Sequence, residues 1–400
     1  MMTTNHPAPG AHHPALLLFA LAMGGFAIGT TEFASMSLLP YFAPDLGIDE
    51  PTAGHVISAY ALGVVVGAPI IAVLAAKIAR RTLLIGLMTL FMVGNGLSAL
   101  APSYGWMLVF RFLSGLPHGA YFGVAALVAA ALVPPNRRAQ AFARVMLGLT
   151  IATIIGVPLA NGIGQLVGWR WGFAIVAFLA LLTAALIFAF APKDKVQPGA
   201  SPLRELGALR RRQIWLTLGI GAIGFAGMFT VYTYLASTLM EVTHVAPEVV
   251  PLVLSVFGLG MTAGNLGCAW AADRALMPSI AGMLLWSAIS LAFYPYAVGN
   301  IWLVTPVVFL IGCGGGLAAA LQTRLMDVAE DAQTLAAALN HSAFNIANAL
   351  GPWLGGLAIA AGHGWASTGW VGCGMALGGL AIWFLALIDE RAGSRPALAA

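Results

Sequence analysis

The chain is predicted to be an all-α membrane protein, with twelve transmembrane helices in two pseudo-symmetric six-helix bundles. Composition is the first reason. Of its 400 residues 60% are hydrophobic and 8% charged, and the mean hydropathy is +0.91, more apolar material than one water-soluble core can hold. Spacing is the second: about twelve apolar runs follow one another, each near the roughly 20 residues that cross about 30 Å of hydrocarbon as a helix. The third is a repeat. At an offset of 197 residues, Ser58, Leu62, Gly63, Gly67 and Ala76-Lys77 fall on Ser255, Leu259, Gly260, Gly264 and Asp273-Arg274, and Gly156-Val157-Pro158 is echoed by Gly351-Pro352 at nearly the same distance.

The expected spans run Ala15 to Pro40, Thr52 to Ala76, Thr82 to Ala101, Tyr104 to Val133, Gln140 to Leu166 and Trp171 to Ala191. A second set runs Ile214 to Leu239, Val249 to Ala272, Met277 to Tyr296, Ile301 to Gln322, Leu335 to Ala361 and Ala366 to Ile388. Residues 1–14 then form an N-terminal tail, 15–191 the first bundle, 192–213 a linker, 214–388 the second bundle and 389–400 a C-terminal tail. The first apolar run lacks a basic leader and exceeds a signal-peptide core, so it reads as a retained helix. The sequence pI near 9.1 comes from short loops on one side, among them Lys77, Arg80, Arg81, Arg137, Arg138 and Arg210 to Arg212, whereas Asp45, Asp49, Glu50, Glu241 and Glu248 lie on the other. That asymmetry predicts a topology with both termini cytoplasmic and gives no soluble face for nucleic acid. Cys268, Cys313 and Cys373 have no metal-ligand spacing and predict buried thiols, with no cofactor or metal.

Small residues mark where helices approach closely. Arg111 opens Arg111-Phe-Leu-Ser-Gly115-Leu-Pro-His118-Gly119-Ala-Tyr-Phe-Gly123, a glycine at every fourth position on one helix face, and the fifth span carries Gly148, Gly156, Pro158 and Gly162. On these segments the chain resembles the major facilitator superfamily, in particular the twelve-span bacterial drug:proton antiporters. Gly67 to Arg81 is similar to the family's motif A, the Arg111 segment to motif B, and Gly148 to Gly162 to motif C. Thr31-Glu32-Phe33, Ala59 to Ile71, Gly115 to Gly123 and Ala343 to Gly351 resemble most closely the arabinose efflux permease-like subgroup. Motif A departs from the family pattern: Ala76, Lys77 and Ala79 stand where an acidic residue, a basic one and a glycine are usual, while the second copy keeps Asp273-Arg274. A charge latch therefore rests on the second copy, and Lys77, Arg80 and Arg81 read equally as topology anchors.

The resemblance implies a proton-coupled exporter of a small organic solute, a sugar or a drug such as chloramphenicol, acting as a monomer in a bacterial inner membrane. An uncoupled facilitator or uptake permease for a sugar or nucleoside is the alternative. A receptor or enzyme is not favoured: Ser114 and His118 lie one turn apart on a helix of packing glycines, and no pair of deep aspartates exists.

Ionisable residues at membrane depth are expensive and so direct attention to function. Glu32 reads as a proton carrier or as a structural carboxylate capped by Thr30 and Thr31. Arg111 lies at matching depth, since at about 1.5 Å per residue the two fall roughly 12 Å and 10 Å from their span ends; it either tunes Glu32 or snorkels outward. His341, Asn345 and Asn348 form a polar stripe on the eleventh span, facing solute or gluing helices, with Asn348 the better candidate for glue. His118, Tyr121, Phe229, Tyr232 and Gln322 fall on the fourth, seventh and tenth spans, which line the central cavity in the resembled family, and Tyr234 there reads equally as an interfacial residue.

Overall fold

The computed structural model describes residues 14–75, 78–134, 137–192, 209–329 and 333–393, and among them every regular element is a helix. Apolar sequence dictates this, because a spanning segment without water must bond its own backbone. The first half runs Pro14–Ser37, Glu50–Ala75, Arg80–Ala99, Tyr104–Ala131, a fifth span from Arg138 to Val167, and Trp169–Phe190. The second half begins at Arg212 and continues through Val250–Ala272, Leu276–Ala297, Ile301–Ala329, Gln333–Ala358 and Ser367–Gly393. Among the described residues eleven helices are long and apolar enough to cross a bilayer; Gln333–Ala358, the eleventh in order, has 26 residues but a more polar first part.

Several spans are less regular than expected. The first ends at Ser37, and a short helix, Leu39–Asp45, follows. The fourth is two helices, Tyr104–Gly115 and His118–Ala131, because Pro117 at the junction has no N–H to donate. The fifth and seventh contain π turns at Ala152–Gly156 and Ile220–Gly224. The last helix continues to Gly393, so the tail expected from residue 389 begins as helix. Most of the expected linker (residues 193–208), the expected N-terminal tail up to residue 13, and Ala76 and Lys77 lie outside the described residues.

Let the terminal face be the one at which the first helix begins and the last ends, and the far face the one bearing Asp45, Asp49 and Glu50. The halves are fused toward the far face. Phe33, Leu39, Phe42 and Ile57 of the first half share one apolar core with Phe229, Tyr232, Leu254 and Phe257 of the second. Toward the terminal face the first half keeps a core of its own, including Leu21, Tyr60, Leu87, Phe122 and Val145.

Hydrogen bonds between the halves follow the same division. Near the far face Ser237 donates to the Glu50 carboxylate, Gln165 donates to the Pro247 carbonyl at 2.9 Å, and the Tyr41 hydroxyl meets the Met240 sulfur at 3.8 Å. Deeper in, the Ser58 hydroxyl donates to the Ala349 carbonyl at 2.8 Å and the Ser255 hydroxyl to the Ile154 carbonyl at 3.0 Å. The second acceptor has a clear origin: Pro158, four residues beyond Ile154, offers no N–H, so the Ile154 carbonyl lacks its α-helical donor. These two serines are the repeat-related pair seen in the sequence, and each crosses to the other half.

Glycines set how closely the helices pack. A Cβ on Gly63, Gly67 or Gly115 would sit 2.1–2.2 Å from a main-chain oxygen of the neighbouring second or fourth span, and one on Gly148 would meet the Ala22 carbonyl oxygen at 1.8 Å. Gly119 and Gly156 are close to side chains, Ala68 and Thr30 respectively. Gly123 and Gly162 have nothing within 4 Å, which corrects the expectation that they pack: the four-residue spacing carries on past the region where a neighbouring helix is close.

Candidate functional site

A polar cluster lies inside the first half around Arg111, which is fully buried. Its Nη1 donates to Thr31 Oγ1 at 3.1 Å and, at 3.4 Å each, to Asn95 Oδ1 and Ser114 Oγ; Nη2 donates to Ser35 Oγ at 3.4 Å. The guanidinium carbon lies 4.3 Å from the Tyr60 ring centre and 5.2 Å from that of Phe173. Neutral acceptors and two aromatic faces thus hold this cation, with no ion pair among the described residues. It does not snorkel outward. Thr31 further donates to Asn95 Oδ1 at 2.6 Å, and Asn95 Nδ2 is fixed on the Phe91 carbonyl at 2.9 Å.

Glu32, the next residue along, turns the other way. Its carboxylate accepts from Asn348 Nδ2 of the eleventh span at 3.0 Å, a contact from one half to the other. Direct pairing with Arg111 is therefore not formed; the two share a depth but hold separate partners. Capping by hydroxyls is also corrected, because Thr31 serves Arg111 and Asn95 while Thr30 Oγ1 is buried without a partner. Asn348, read in the sequence as helix glue, does glue helices, and the group it holds is the buried carboxylate. The sequence signal for that partnership was the coincidence of two polar residues on apolar helices, which names the candidates without pairing them.

A second cross-half cluster lies toward the terminal face. His118 Nδ1 meets the Tyr60 hydroxyl at 2.9 Å. The His341 ring stacks on Phe122 with centroids 5.6 Å apart and planes at 4°, and lies 6.2 Å from the His118 ring. His341 is half-buried. Asn345 donates to the His341 carbonyl at 3.0 Å, leaving its own buried Oδ1 without a partner.

The aromatic residues expected around a cavity are distributed otherwise. Tyr121 is fully buried within the first half, its hydroxyl donating to the Leu21 carbonyl at 2.7 Å and its ring filling the space left by Gly24. Phe229 and Tyr232 are buried at the far-side seam, 6.1 and 5.5 Å from Phe33 between ring centres, and Tyr232 packs 4.2 Å from Phe257. Tyr234 is buried and donates to the Pro352 carbonyl at 2.7 Å, so it is no interfacial residue. Gln322 is half-buried and accepts from Asn340 at 2.7 Å.

At the terminal face Arg81 donates to the Phe188 carbonyl at 2.5 Å and lies over the Phe188 ring, anchoring the third span to the sixth; Arg80 opens the third span half-buried. Asp273 is exposed and has no side-chain partner among the described residues. Arg274 donates to the Trp270 carbonyl at 2.7 Å and lies 3.7 Å from the Trp270 ring centre. The latch expected of this pair is not engaged in this conformation. In the same half Arg324 pairs with Glu390 at 3.0 Å and Arg212 with Asp389 at 3.0 Å, tying the seventh, tenth and twelfth spans together.

Two six-helix halves that share an apolar core toward the far face and touch again where His341 stacks on Phe122, with a buried carboxylate bonded across the seam, define a multi-pass membrane transporter. The family model of the Major Facilitator Superfamily matches residues 21–274 and 218–400; the chain belongs to this family. It is 39% identical over 349 residues to the inner membrane transport protein YdhP of Escherichia coli K12, covering 87% of this chain and 90% of the relative. It is 33% identical over 348 residues to a chloramphenicol resistance protein of Streptomyces lividans, covering 84% and 87%. Among solved structures, a bacterial homologue of the human lysosomal transporter Spinster, in an inward-facing, unoccupied conformation, matches with a TM-score of 0.70 over 96% of this chain and 99% of that one, at 17% identity. That likeness concerns the fold.

Proposed function

We propose that this transporter exports a small organic solute by alternating access, driven by protons entering through Glu32, from a bacterial inner membrane with both termini in the cytoplasm. The observation that carries the reading is the Glu32–Asn348 bond: the titratable group sits on the seam that must part when the far face opens. With the basic loops inside, the far face is the outer one, and the far-side fusion corresponds to a state closed to the outside. The name of the Streptomyces relative supports a drug such as chloramphenicol as solute, and the subgroup resemblance supports a sugar.

Arg111, held by neutral groups beside Glu32, would keep a permanent positive charge near the exchanging proton. His118, His341, Phe122, Gln322 and Asn345 would meet the solute from the terminal side, and the glycines of the fourth and fifth spans would keep the helices tight against leak. The Asp273-Arg274 latch would form in the state open to the far face.

Uptake of chloramphenicol, arabinose and nucleosides into inverted membrane vesicles tests the reading. Accumulation that requires a proton gradient and collapses with a protonophore is the expected result. Gradient-independent equilibration of a sugar or nucleoside would instead make the protein a facilitator and Glu32 structural.

A further inference from the structure

Asn348 spends one end of its amide on Glu32. Nδ2 donates to the carboxylate at 3.0 Å, while Oδ1, on a residue with no exposed surface, has no partner. A buried acceptor without a donor is costly, and the same side chain is also the one that reaches across the seam. An ionised glutamate only accepts and cannot help it. A protonated glutamate has an O–H to give, and a carboxylic acid beside a primary amide forms a cyclic pair, N–H to the acid carbonyl and O–H to the amide oxygen.

We propose that Asn348 is the positioning residue that reads the protonation of Glu32. A proton on the Glu32 carboxyl completes a two-bond acid–amide pair between the first and eleventh spans, and so closes the far face. The inference rests on the proton-exchange reading of Glu32 given above. Binding is a simple gain: the proton joins the second carboxyl oxygen, the buried negative charge disappears, and the Asn348 oxygen acquires its missing donor. Loss of the proton toward the terminal side reverses this, leaving one bond and a desolvated anion, and frees the seam to open with solute.

The charged and titratable groups around the pair are Arg111 and Tyr60 in the same half, His118 and Tyr121 further along the fourth span, His341 two turns away on the eleventh, and Tyr232 on the seventh. Arg111 alone has permanent charge, and it is held by other partners. A purely structural Asn348 would hold the helices equally at all pH. A proton-reading one makes far-face closure pH-dependent.

The test uses the full chain in lipid, with Cys268, Cys313 and Cys373 replaced and spin labels on Asp49→Cys and His363→Cys at the far-face ends of the second and eleventh spans. In this background acidification should raise the short-distance population by about three- to tenfold, the range of a single interhelical contact in a membrane. Glu32→Gln, whose amide can pair with Asn348 without a proton, should hold the short distance at every pH. Asn348→Leu should abolish the pH dependence. If that variant folds poorly, Asn348→Ser gives the same reading, and the double exchange Glu32→Asp with Asn348→Gln, which moves one methylene between the partners, should restore the pH response. Proton-driven export surviving in Glu32→Gln would sink the proton-exchange reading itself. Export lost in Glu32→Gln, with Asn348→Leu keeping the unsubstituted pH response, would overturn this inference alone, as would acidification that lengthens the distance.

Discussion

A Cβ on Gly63 would lie 2.2 Å from the Phe112 oxygen, and one on Gly260 2.2 Å from the Phe309 oxygen; Gly67 meets Leu116 as Gly264 meets Cys313, and Gly115 meets Tyr60 as Gly312 meets Phe257. At the 197-residue offset these are the same contacts made twice, so the second and fourth spans pack as the eighth and tenth do. The side chains held by that frame differ. Where the first half has Thr31, Glu32, Tyr60, Asn95, Arg111 and Ser114, the second has Met228, Phe229, Phe257, Ala292, Val308 and Ile311. One frame therefore holds a polar cluster in one half and an apolar plug in the other. Packing geometry can be duplicated and kept, because it depends on small residues at fixed spacing. Chemistry is free to diverge at the positions between them, and Asn348 of the second half donates to the Glu32 carboxylate.

The sharpest way to break this comparison is to move the charge. Val308→Arg would bury a guanidinium where the second half offers Met228, Ala292 and Ile311 instead of hydroxyl and amide acceptors, and should cost about 3 kcal/mol or more; thermal melting in detergent should show little folded protein. The reciprocal Arg111→Ala should fold with a smaller loss, about 1–3 kcal/mol from the acceptors left behind, while transport nearly stops. If Val308→Arg were as stable as the parent, the two environments would not differ as described.

Shared packing predicts equal penalties. Gly63→Ala and Gly260→Ala each press a methyl on a main-chain oxygen and should each cost about 1–3 kcal/mol in melting experiments, with Gly123→Ala and Gly162→Ala close to neutral. A large difference within the first pair would break the equivalence of the frames. The paired serines give a weaker effect. Ser58→Ala and Ser255→Ala each remove one hydrogen bond across the seam, about 0.6 kcal/mol apiece by the membrane average, and together should make a cysteine introduced in the shared far-side core, Phe33→Cys, a few-fold more accessible to a polar thiol reagent.

The smallest expected effect is at the far-face loop. Arg170 and the Trp169 indole N–H hold the Asp45 carboxyl below the usual carboxylate range. The sign follows from that depression: the contribution is present above the unfolded carboxyl's value near 4 and is lost as pH falls through the lower folded value. Because Asp45 and Arg170 are both about half exposed, Asp45→Asn should lower the melting temperature only slightly at neutral pH, and the gap should vanish in acid.

Spans, repeat and glycine frame were legible in the sequence because hydropathy and small-residue spacing are local patterns that helix geometry carries directly into space. Partnerships were less legible. Glu32 and Asn348 stand 316 residues apart, and their meeting depends on the register of two halves, which neither segment encodes alone. Depth placed Arg111 level with Glu32, yet depth says nothing of rotation about the helix axis, and rotation sends Arg111 to Thr31 and Ser35 while Glu32 faces the seam. Tyr121 was misplaced for the same reason: its span faces the centre, but its ring fills the gap over Gly24.

The central claim is that proton exchange resides on Glu32, the buried carboxylate that bonds across the seam. Solute-dependent proton movement across inverted vesicles, measured side by side for the parent and Glu32→Gln at equal protein content, tests it most directly. The account predicts that solute releases protons through the parent and moves none through Glu32→Gln, although solute still binds that variant. Undiminished solute-dependent proton movement through Glu32→Gln would contradict it.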